Sequence, residues 1–348
     1  MHNYTEFVSN IVNEILRIKK GNVISISGEI YNSEESSNQL VEIPLIEDLA
    51  VMIRQKAAFP ILEITTTTLQ NRFFDEMSKD IHTLTPSYYS KWVDLIDCFI
   101  EIGWQKIFDE FTPEKQSVSD EMIESSQAMM MQIKDNNKKM LLLNFPNQQL
   151  AEFLDMDLNK LLNFYMNAVN CDYRYLYKQG IILQDRYFSS ANYLIEDLMN
   201  VLELKISKDQ ANVNSGSASD NPFLVLPAGF IEFPLHRDSL NGILCAERIY
   251  FQANIFTDVK IMFKEGNIRF ITFKTEKKEN FILQNALMRS DSRCTLTLGF
   301  NPQIISYSNY ALYDRAMNEN ITLTFSYPGE SNIYISTFSG KIGKHSKI

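Results

Sequence analysis

One segment of the chain carries the residue types of an active-site entrance: "NPFLVLPAGFIEFPLHRDSLNG", residues 221–242. A Pro-Ala-Gly turn joins two apolar runs, and a polar stretch with Glu232, His236 and Asp238 follows it. The spacing of His236 and Asp238 places both side chains on one side of an extended strand, where they could share a metal ion. Directly after the turn, however, the sequence has Phe230. The segment predicts either an unusual working site or one that has lost its chemistry.

The rest of the sequence gives little support to a hydrolytic metal site. A divalent ion that activates water needs several convergent His, Asp and Glu side chains, but the chain has only four histidines: His2, His82, His236 and His345. The polar stretch is equally compatible with surface residues on a turn. The sequence also lacks a G-x-S-x-G elbow, a G-x-G-x-x-G loop and a P-loop. Serine hydrolases and nucleotide-binding enzymes are therefore disfavoured.

Composition excludes further classes of protein. The net charge of −10 disfavours a nucleic-acid partner, because nucleic-acid binding depends on neutralising phosphates with Lys and Arg. The four cysteines lie far apart without a Cys-x-x-Cys pair, which predicts neither disulfides nor zinc and favours a cytoplasmic location. No uncharged apolar run approaches the roughly 18 residues that span a bilayer, so we expect no membrane partner.

The length of 348 residues favours two domains. Up to about residue 205, helical and strand patterns alternate, which predicts an α/β domain (1–205) with a mostly parallel sheet. The last predicted helix of this domain is "SSANYLIEDLMNVLEL", residues 189–204. Residues 206–221 are rich in Ser, Asn and Asp and predict a linker.

Residues 222–348 have a different pattern. Short alternating runs such as "DVKIMFKEGNIRFITFKT" predict strands, and Glu265-Gly266-Asn267 between two of them predicts a hairpin. We therefore expect a mainly antiparallel β-rich domain.

The order of these motifs resembles one known family. Three blocks, "YTEFVSNIVNEILRIKKGNVISISGE", "FPNQQLAEFLDMDLNKLLNFYMNAVNCDYRYL" and "LPAGFIEFPLHRDSLNGIL", with "KIMFKEGNIRFITF" and "TLTLGFNPQI" after them, are similar in order and spacing to the aminopeptidase T family of metallopeptidases, peptidase family M29. The resemblance implies that family's two-domain fold. It also implies a homodimer around an enclosed cavity and two metal ions, cobalt or zinc, held by two Glu, two His and an Asp.

Mapped residue by residue, the resemblance finds none of these ligands. The Glu that follows the Pro-Ala-Gly turn in the family is Phe230 here, and the second Glu is Thr295. The first His corresponds to Leu323, and the final His-x-Asp pair corresponds to Tyr334 and Ser336. No His stands between residues 237 and 344, so no small shift of the alignment restores the histidines. The family's catalytic Tyr has only Tyr327 as a weak counterpart.

We therefore interpret the chain as a catalytically inactive relative, without a metal or other cofactor, that binds a peptide in the former active-site cavity of a homodimer. A precursor peptide in natural-product biosynthesis is one such partner. The candidate peptide-binding residues are Phe230, Glu232, His236, Leu323, Tyr327 and Tyr334.

Two alternatives stay open at this stage. One is an active metal-dependent aminopeptidase or hydrolase whose site has moved to His236, Asp238, Glu232 or Glu247. The other is a purely structural dimer with a closed cavity. Metal content and turnover distinguish the first alternative from the peptide-binding hypothesis, and peptide binding distinguishes the second.

Overall fold

The computed structural model of the chain describes most of its 348 residues. The described residues are 4–31, 40–76, 89–103, 130–188, 192–196, 200–206, 211–217, 221–252, 254–274, 279–289, 292–327, 332–338 and 340–344. Among them, no helix is both long enough and apolar enough to cross a membrane.

The chain folds into two compact units, each built from two stretches of sequence. Unit 1 comprises residues 1–173 and 216–228, and unit 2 comprises residues 174–215 and 229–348. This division differs from the predicted boundary at residue 205 and the predicted linker 206–221. Strand pairing explains the difference, because residues 212–214 pair with a strand of unit 2, whereas residues 223–225 complete the sheet of unit 1.

Unit 1 is the predicted α/β part. Its described helices are α1 (Thr5–Asn10, continued by a π-helical turn over Ile11–Ile15), α2 (Glu42–Gln55), α3 (Thr67–Glu76), α4 (Tyr89–Leu95), residues 130–135, α5 (Gln148–Phe153) and α6 (Leu158–Val169). Its strands are β1 (Val23–Ile30), β2 (Phe59–Thr66), β3 (Cys98–Ile102), β4 (Lys139–Leu142) and β8 (Phe223–Val225). All strand pairs are parallel, in the order β2-β1-β3-β4-β8.

The opening amphipathic helix is confirmed, and its apolar face is buried in unit 1. Phe7, Val8, Ile11, Val12 and Ile15 are each fully buried. Phe7 meets Tyr165 of α6 edge to face, with ring centroids 6.0 Å apart. The helix is therefore packed into the core of unit 1, in contact with α6.

Unit 2 is the predicted β-rich part. It begins with α7 (Tyr173–Phe188) and contains β5 (Asn192–Glu196), β6 (Val201–Lys205), β7 (Asn212–Asn214), β9 (Phe230–Leu235), β10 (Asn241–Phe251), β11 (Asn254–Lys264), β12 (Asn267–Thr272), β13 (Arg293–Gly299), β14 (Ile321–Ser326), β15 (Ile333–Thr337) and β16 (Lys341–Lys344). A 3-10 turn (Arg237–Ser239) and helices α8 (Glu279–Met288) and α9 (Ala311–Asp314) lie between strands. The pairings are antiparallel, in the order β16-β5-β6-β10-β15-β14-β13-β9-β7, with β11 and β12 branching from β10. The predicted hairpin joins β11 to β12, and Glu265 and Gly266 both have positive φ there.

The predicted helix over residues 189–204 is wrong in its described part, which forms the β5–β6 pair. Tyr193 and Ile195 are buried, as are Leu202 and Leu204, whereas the residues between them are more exposed. This alternation has the period of a strand. The apolar residues also fit a helical spacing, so the pattern alone does not distinguish a helix from a pair of strands here.

Candidate functional site

Most of the predicted site residues lie in a five-stranded part of the unit 2 sheet. Its register places one row of side chains across β9, β13, β14, β15 and β10, namely Glu232, Thr297, Thr322, Ser336 and Arg248. Directly paired residues of antiparallel strands project from the same face of the sheet. This face is therefore polar, and we call it the polar face.

Four of the five positions assigned to lost metal ligands share the polar face. Phe230 lies two residues before Glu232 on β9, so both side chains project from the same face. Thr295 and Tyr334 both pair with Thr324, and these three residues form the next row of the same face. Ser336 lies in the Glu232 row itself. The sheet thus brings together positions that are more than 100 residues apart in the sequence.

Leu323 does not belong with them. It pairs with Leu296 and Ile335, and its side chain projects from the opposite, apolar face, where it is 1% exposed. It is therefore core, and cannot contact a peptide on the polar face. Its neighbours Thr322 and Thr324 are the β14 residues that project from the polar face.

The segment between β13 and β14 packs against the polar face at Gly299. A Cβ atom at this position would lie 2.1 Å from the carbonyl oxygen of Met317 and 2.8 Å from that of Arg315. These separations are much shorter than any real contact, so only glycine lets the segment approach so closely. Gly299 is the β13 partner of Phe230, and the approach therefore brings Arg315 next to the start of β9.

Arg315 forms the centre of what we call the Arg315 site, with Phe230, Glu232 and Tyr334. Its guanidinium carbon lies 4.2 Å from the centroid of the buried Phe230 ring, in cation–π geometry. Its Nη1 donates to Glu232 Oε1 at 3.3 Å, with 14% and 26% of the two side chains exposed. A partly desolvated cation–π contact is worth about 1–2 kcal/mol. The guanidinium is therefore fixed in orientation from two sides.

Tyr334 completes the Arg315 site. Its hydroxyl accepts a hydrogen bond from Asn332 Nδ2 at 3.2 Å. Burial raises the pKa of this hydroxyl above its ordinary value, and the Arg315 guanidinium partly offsets the rise. Tyr334 is therefore neutral at physiological pH and can act only as a hydrogen-bonding group there.

A buried carboxylate, Asp314, holds the same segment on the sheet. Its Oδ2 accepts from the Tyr250 hydroxyl at 2.5 Å, and its Oδ1 accepts from the Ser308 amide and hydroxyl at 2.6 and 2.7 Å. Burial raises the pKa of Asp314 from its ordinary 3.8 to about 6, although these hydrogen bonds lower it. Asp314 anchors the segment, and its neighbour Arg315 reaches the site.

The remaining candidate residues lie elsewhere. His236 and Asp238 are exposed at the 3-10 turn. Glu247 accepts from the Tyr307 hydroxyl at 3.1 Å, on β10, which is four strands and roughly 19 Å from β9. Tyr327 stacks under Arg289, whose guanidinium carbon is 4.9 Å from its ring centroid. The relocated site of the first alternative is therefore not assembled by this fold.

The comparisons with known proteins support the fold. The structure of wild-type AmpT from Thermus thermophilus superimposes with a TM-score of 0.67, covering 97% of this chain and 93% of AmpT at 10% sequence identity. The chain matches no protein-family profile and no curated protein sequence. It therefore has the two-part, aminopeptidase-like fold of AmpT, with a parallel-sheet α/β unit and an antiparallel β-rich unit.

The two metal ions that the resemblance implies do not fit the residues present. Phe230, Thr295, Tyr334 and Ser336 offer neither a carboxylate nor an imidazole, and Leu323 offers no donor at all. Within the described residues, no three His, Cys, Asp or Glu side chains are grouped so that they could hold one metal ion. His2, His82 and His345 lie outside the described residues. Two divalent cations need several anionic or imidazole ligands, and the five assigned positions supply none.

Sequence reasoning missed Arg315. It lies 85 residues beyond Phe230, and no local spacing connects the two. The one available signal was compositional: Asp314 and Arg315 are the only charges in "SYSNYALYDRAMN", residues 306–318. Charged residues within such a segment are buried only with partners, so the pair could have been singled out.

Proposed function

We propose that the chain is a non-catalytic, aminopeptidase-like protein that binds a peptide at the Arg315 site and acts as a homodimer. The observation that carries this proposal is the Arg315 guanidinium stacked on Phe230, where the resemblance expects a metal-binding Glu. A guanidinium supplies positive charge at this position. It has no open coordination position for a water molecule, so it cannot generate the metal-bound hydroxide of a metallopeptidase.

Glu232 and Arg315 give the site two opposite charges that are both partly accessible. A peptide offers matching groups, since its terminal ammonium can pair with Glu232 and its carbonyl or carboxylate oxygens can accept from Arg315. Phe230 and Tyr334 lie beside these charges, 2% and 6% exposed, and pack beneath the groups that a peptide would contact. The partner we propose is therefore a peptide, and a precursor peptide awaiting modification is the specific case to test first.

The test measures peptide binding by a fluorescent peptide library, with Phe230→Ala and Tyr334→Ala as site variants. Loss of an aromatic anchor costs about 2 kcal/mol of binding free energy, which is roughly 30-fold in affinity. Phe233→Ala and Tyr193→Ala are matched controls, because both side chains are buried aromatic residues of unit 2 outside the Arg315 site. Unchanged affinity in both site variants would exclude this site. Light scattering of the same samples tests the homodimer.

One observation favours a second candidate function, that of a structural protein whose polar face is covered and binds no peptide. Thr297, Thr322 and Ser336 are each 1% exposed, so the middle of the Glu232 row is covered. A folded dimer that binds no peptide from the library or from an extract of its native cells would favour this candidate over peptide binding.

A further inference from the structure

The parallel sheet of unit 1 has an unusual polar region. Ser27 of β1 pairs with Glu63 of β2 on one side and with Glu101 of β3 on the other. Ser25 and Glu29 project from the same face, two residues before and after Ser27. Strands of parallel sheets are normally covered on both faces and are almost continuously apolar. Carboxylates on the edge strand β2 and on its neighbours β1 and β3 therefore call for an explanation.

The polar region begins where the hydrophobic packing of this face ends. Toward the amino ends of the strands, Phe99 and Met140 form a core cluster with Val93, Ile96 and Ile133, and Val23 and Ile61 pack against it. Toward the carboxyl ends, the same face carries Glu29, Glu63 and Glu101. Ser25 donates a hydrogen bond to Glu63 Oε1 at 2.6 Å. The change from apolar to polar occurs along each of these strands, two residues earlier in β1, where Ser25 pairs with Ile61 and Phe99.

A cavity of about 300 Å³ lies over this polar region. It is at the carboxyl ends of the strands, where β1 has β2 on one side and β3 on the other, so that the strand order reverses. Open α/β sheets bind ligands at such a switch point, and the volume fits a small ligand or one side chain of a larger one. The described residues that line it are Ser27, Gly28, Glu29, Glu63, Thr65, Gln70, Glu101, Ile102, Gly103, Asn147 and Gln149.

The described part of the cavity lining is acidic. It contains three glutamates and no Lys, Arg or His. Glu101 is accessible to solvent, but the protein atoms around its carboxylate desolvate it and raise its pKa. A cation in the cavity would stabilise the ionised carboxylates.

Glu42 is a further carboxyl group, behind the cavity wall. It is 3% exposed, and its carboxylate accepts a hydrogen bond from the side chain of Asn147, which lines the cavity. Burial raises the pKa of Glu42, and the neighbouring charge of Glu29 contributes to the rise. One carboxylate oxygen, Oε1, has no hydrogen-bond partner among the described residues. A cation in the cavity would therefore also favour the ionised form of Glu42.

We infer that this cavity binds an organic cation with an ammonium or guanidinium group, held by Glu29, Glu63 and Glu101. Such a group donates several hydrogen bonds at once, and the amide oxygens of Gln70 and Asn147 are further acceptors. A metal ion fits less well, because no three metal-binding side chains among the described residues are close enough to share one ion, whereas the separate donors of an organic cation can reach separate carboxylates. This cavity belongs to unit 1, and the inference does not depend on the proposed function of the Arg315 site.

Titration calorimetry of the full chain at constant ionic strength tests the inference. Agmatine and spermidine represent free cations, and a tripeptide with a central arginine represents a peptide-borne cation. The same tripeptide with citrulline is the neutral control. We expect saturable binding of at least one cation, no binding of the citrulline peptide, and an affinity at least about tenfold lower in the Glu63→Gln/Glu101→Gln variant.

Glu203→Gln is the matched control variant, because Glu203 is an exposed strand residue of unit 2. It should bind as the unaltered protein does. If the double variant does not fold, Glu29→Gln carries the same expectation. Binding of the free amines alone would identify a free cation as the ligand, and binding of the arginine peptide as well would identify a peptide-borne cation. Either result supports the inference. Absence of saturable binding up to millimolar concentrations, or equal binding by the glutamine variants, would overturn it.

Discussion

The guanidinium carbon of Arg315 lies 4.2 Å from the centroid of the Phe230 ring, and its Nη1 reaches Glu232 at 3.3 Å. A cation that belongs to the protein thus lies beside the residue that the resemblance assigns to the first metal-ligand position. The stability of unit 2 and the metal affinity of this face should therefore depend on this cation and on the segment that carries it.

Replacing Arg315 by Met should destabilise unit 2 although Met fills similar space. The change removes the cation–π contact and leaves Glu232 without its ion-pair partner, and we expect a loss of about 1–3 kcal/mol in the free energy of unfolding. Urea unfolding measures it. The double variant Arg315→Met/Glu232→Gln should recover part of the loss. Strictly additive effects would argue against the pairing.

Restoring a carboxylate by Phe230→Glu should not create a metal site. The new carboxylate would pair with Arg315, and the other four ligand positions would still lack anionic or imidazole donors. We expect no stoichiometric zinc or cobalt after dialysis, as measured by mass spectrometry of the metal content. Tight, stoichiometric metal in this variant would show that further ligands are available.

Gly299→Ala should displace the segment that carries Arg315. The added methyl group would overlap the Met317 carbonyl oxygen, at 2.1 Å, and overpacking of this kind costs about 1–3 kcal/mol or more. Thermal unfolding reports the loss. Gly343→Ala is the matched control, because a Cβ there has nothing within 4 Å. Equal melting temperatures for the two variants would contradict the close packing.

Asp314 should make stability depend on pH. Its pKa of about 6 in the folded protein lies above the ordinary 3.8 of an unfolded chain, so the folded protein binds more protons in this window. The free energy of unfolding therefore falls as the pH rises from about 4 to about 6 and then levels off. Asn at this position does not titrate. The stability advantage of the unaltered protein over Asp314→Asn should thus be smaller at neutral pH than near pH 4.5, as measured by urea unfolding. A stability advantage that grows with pH would contradict a raised pKa of Asp314 in the folded protein.

The fold was largely predictable because its patterns are local. The hydrophobic face of α2 and the alternation of β11 and β12 are both visible within a dozen residues. The β5–β6 pair was not, because its apolar residues fit a helical period as well as a strand period. Only pairing with β10 and β16 decides between them.

The candidate site was predictable only in part, since it depends on sheet register. A shift of one residue moves a side chain to the other face, and this is the difference between Leu323, in the core, and Thr322, on the polar face. Glu63, Ser27 and Glu101 likewise form one row only because the strand order of unit 1 aligns them. Neither the polar face of unit 2 nor this row of unit 1 can be recognised from the spacing of residues along the sequence.

The central claim is that this aminopeptidase-like fold has lost metal catalysis, and one measurement tests it most directly. The protein is purified from its native cells without chelator, its metal content is measured, and the same sample is assayed against a panel of amino-acid amides. The account predicts neither stoichiometric metal nor turnover. Stoichiometric zinc, cobalt or iron together with hydrolysis would contradict it.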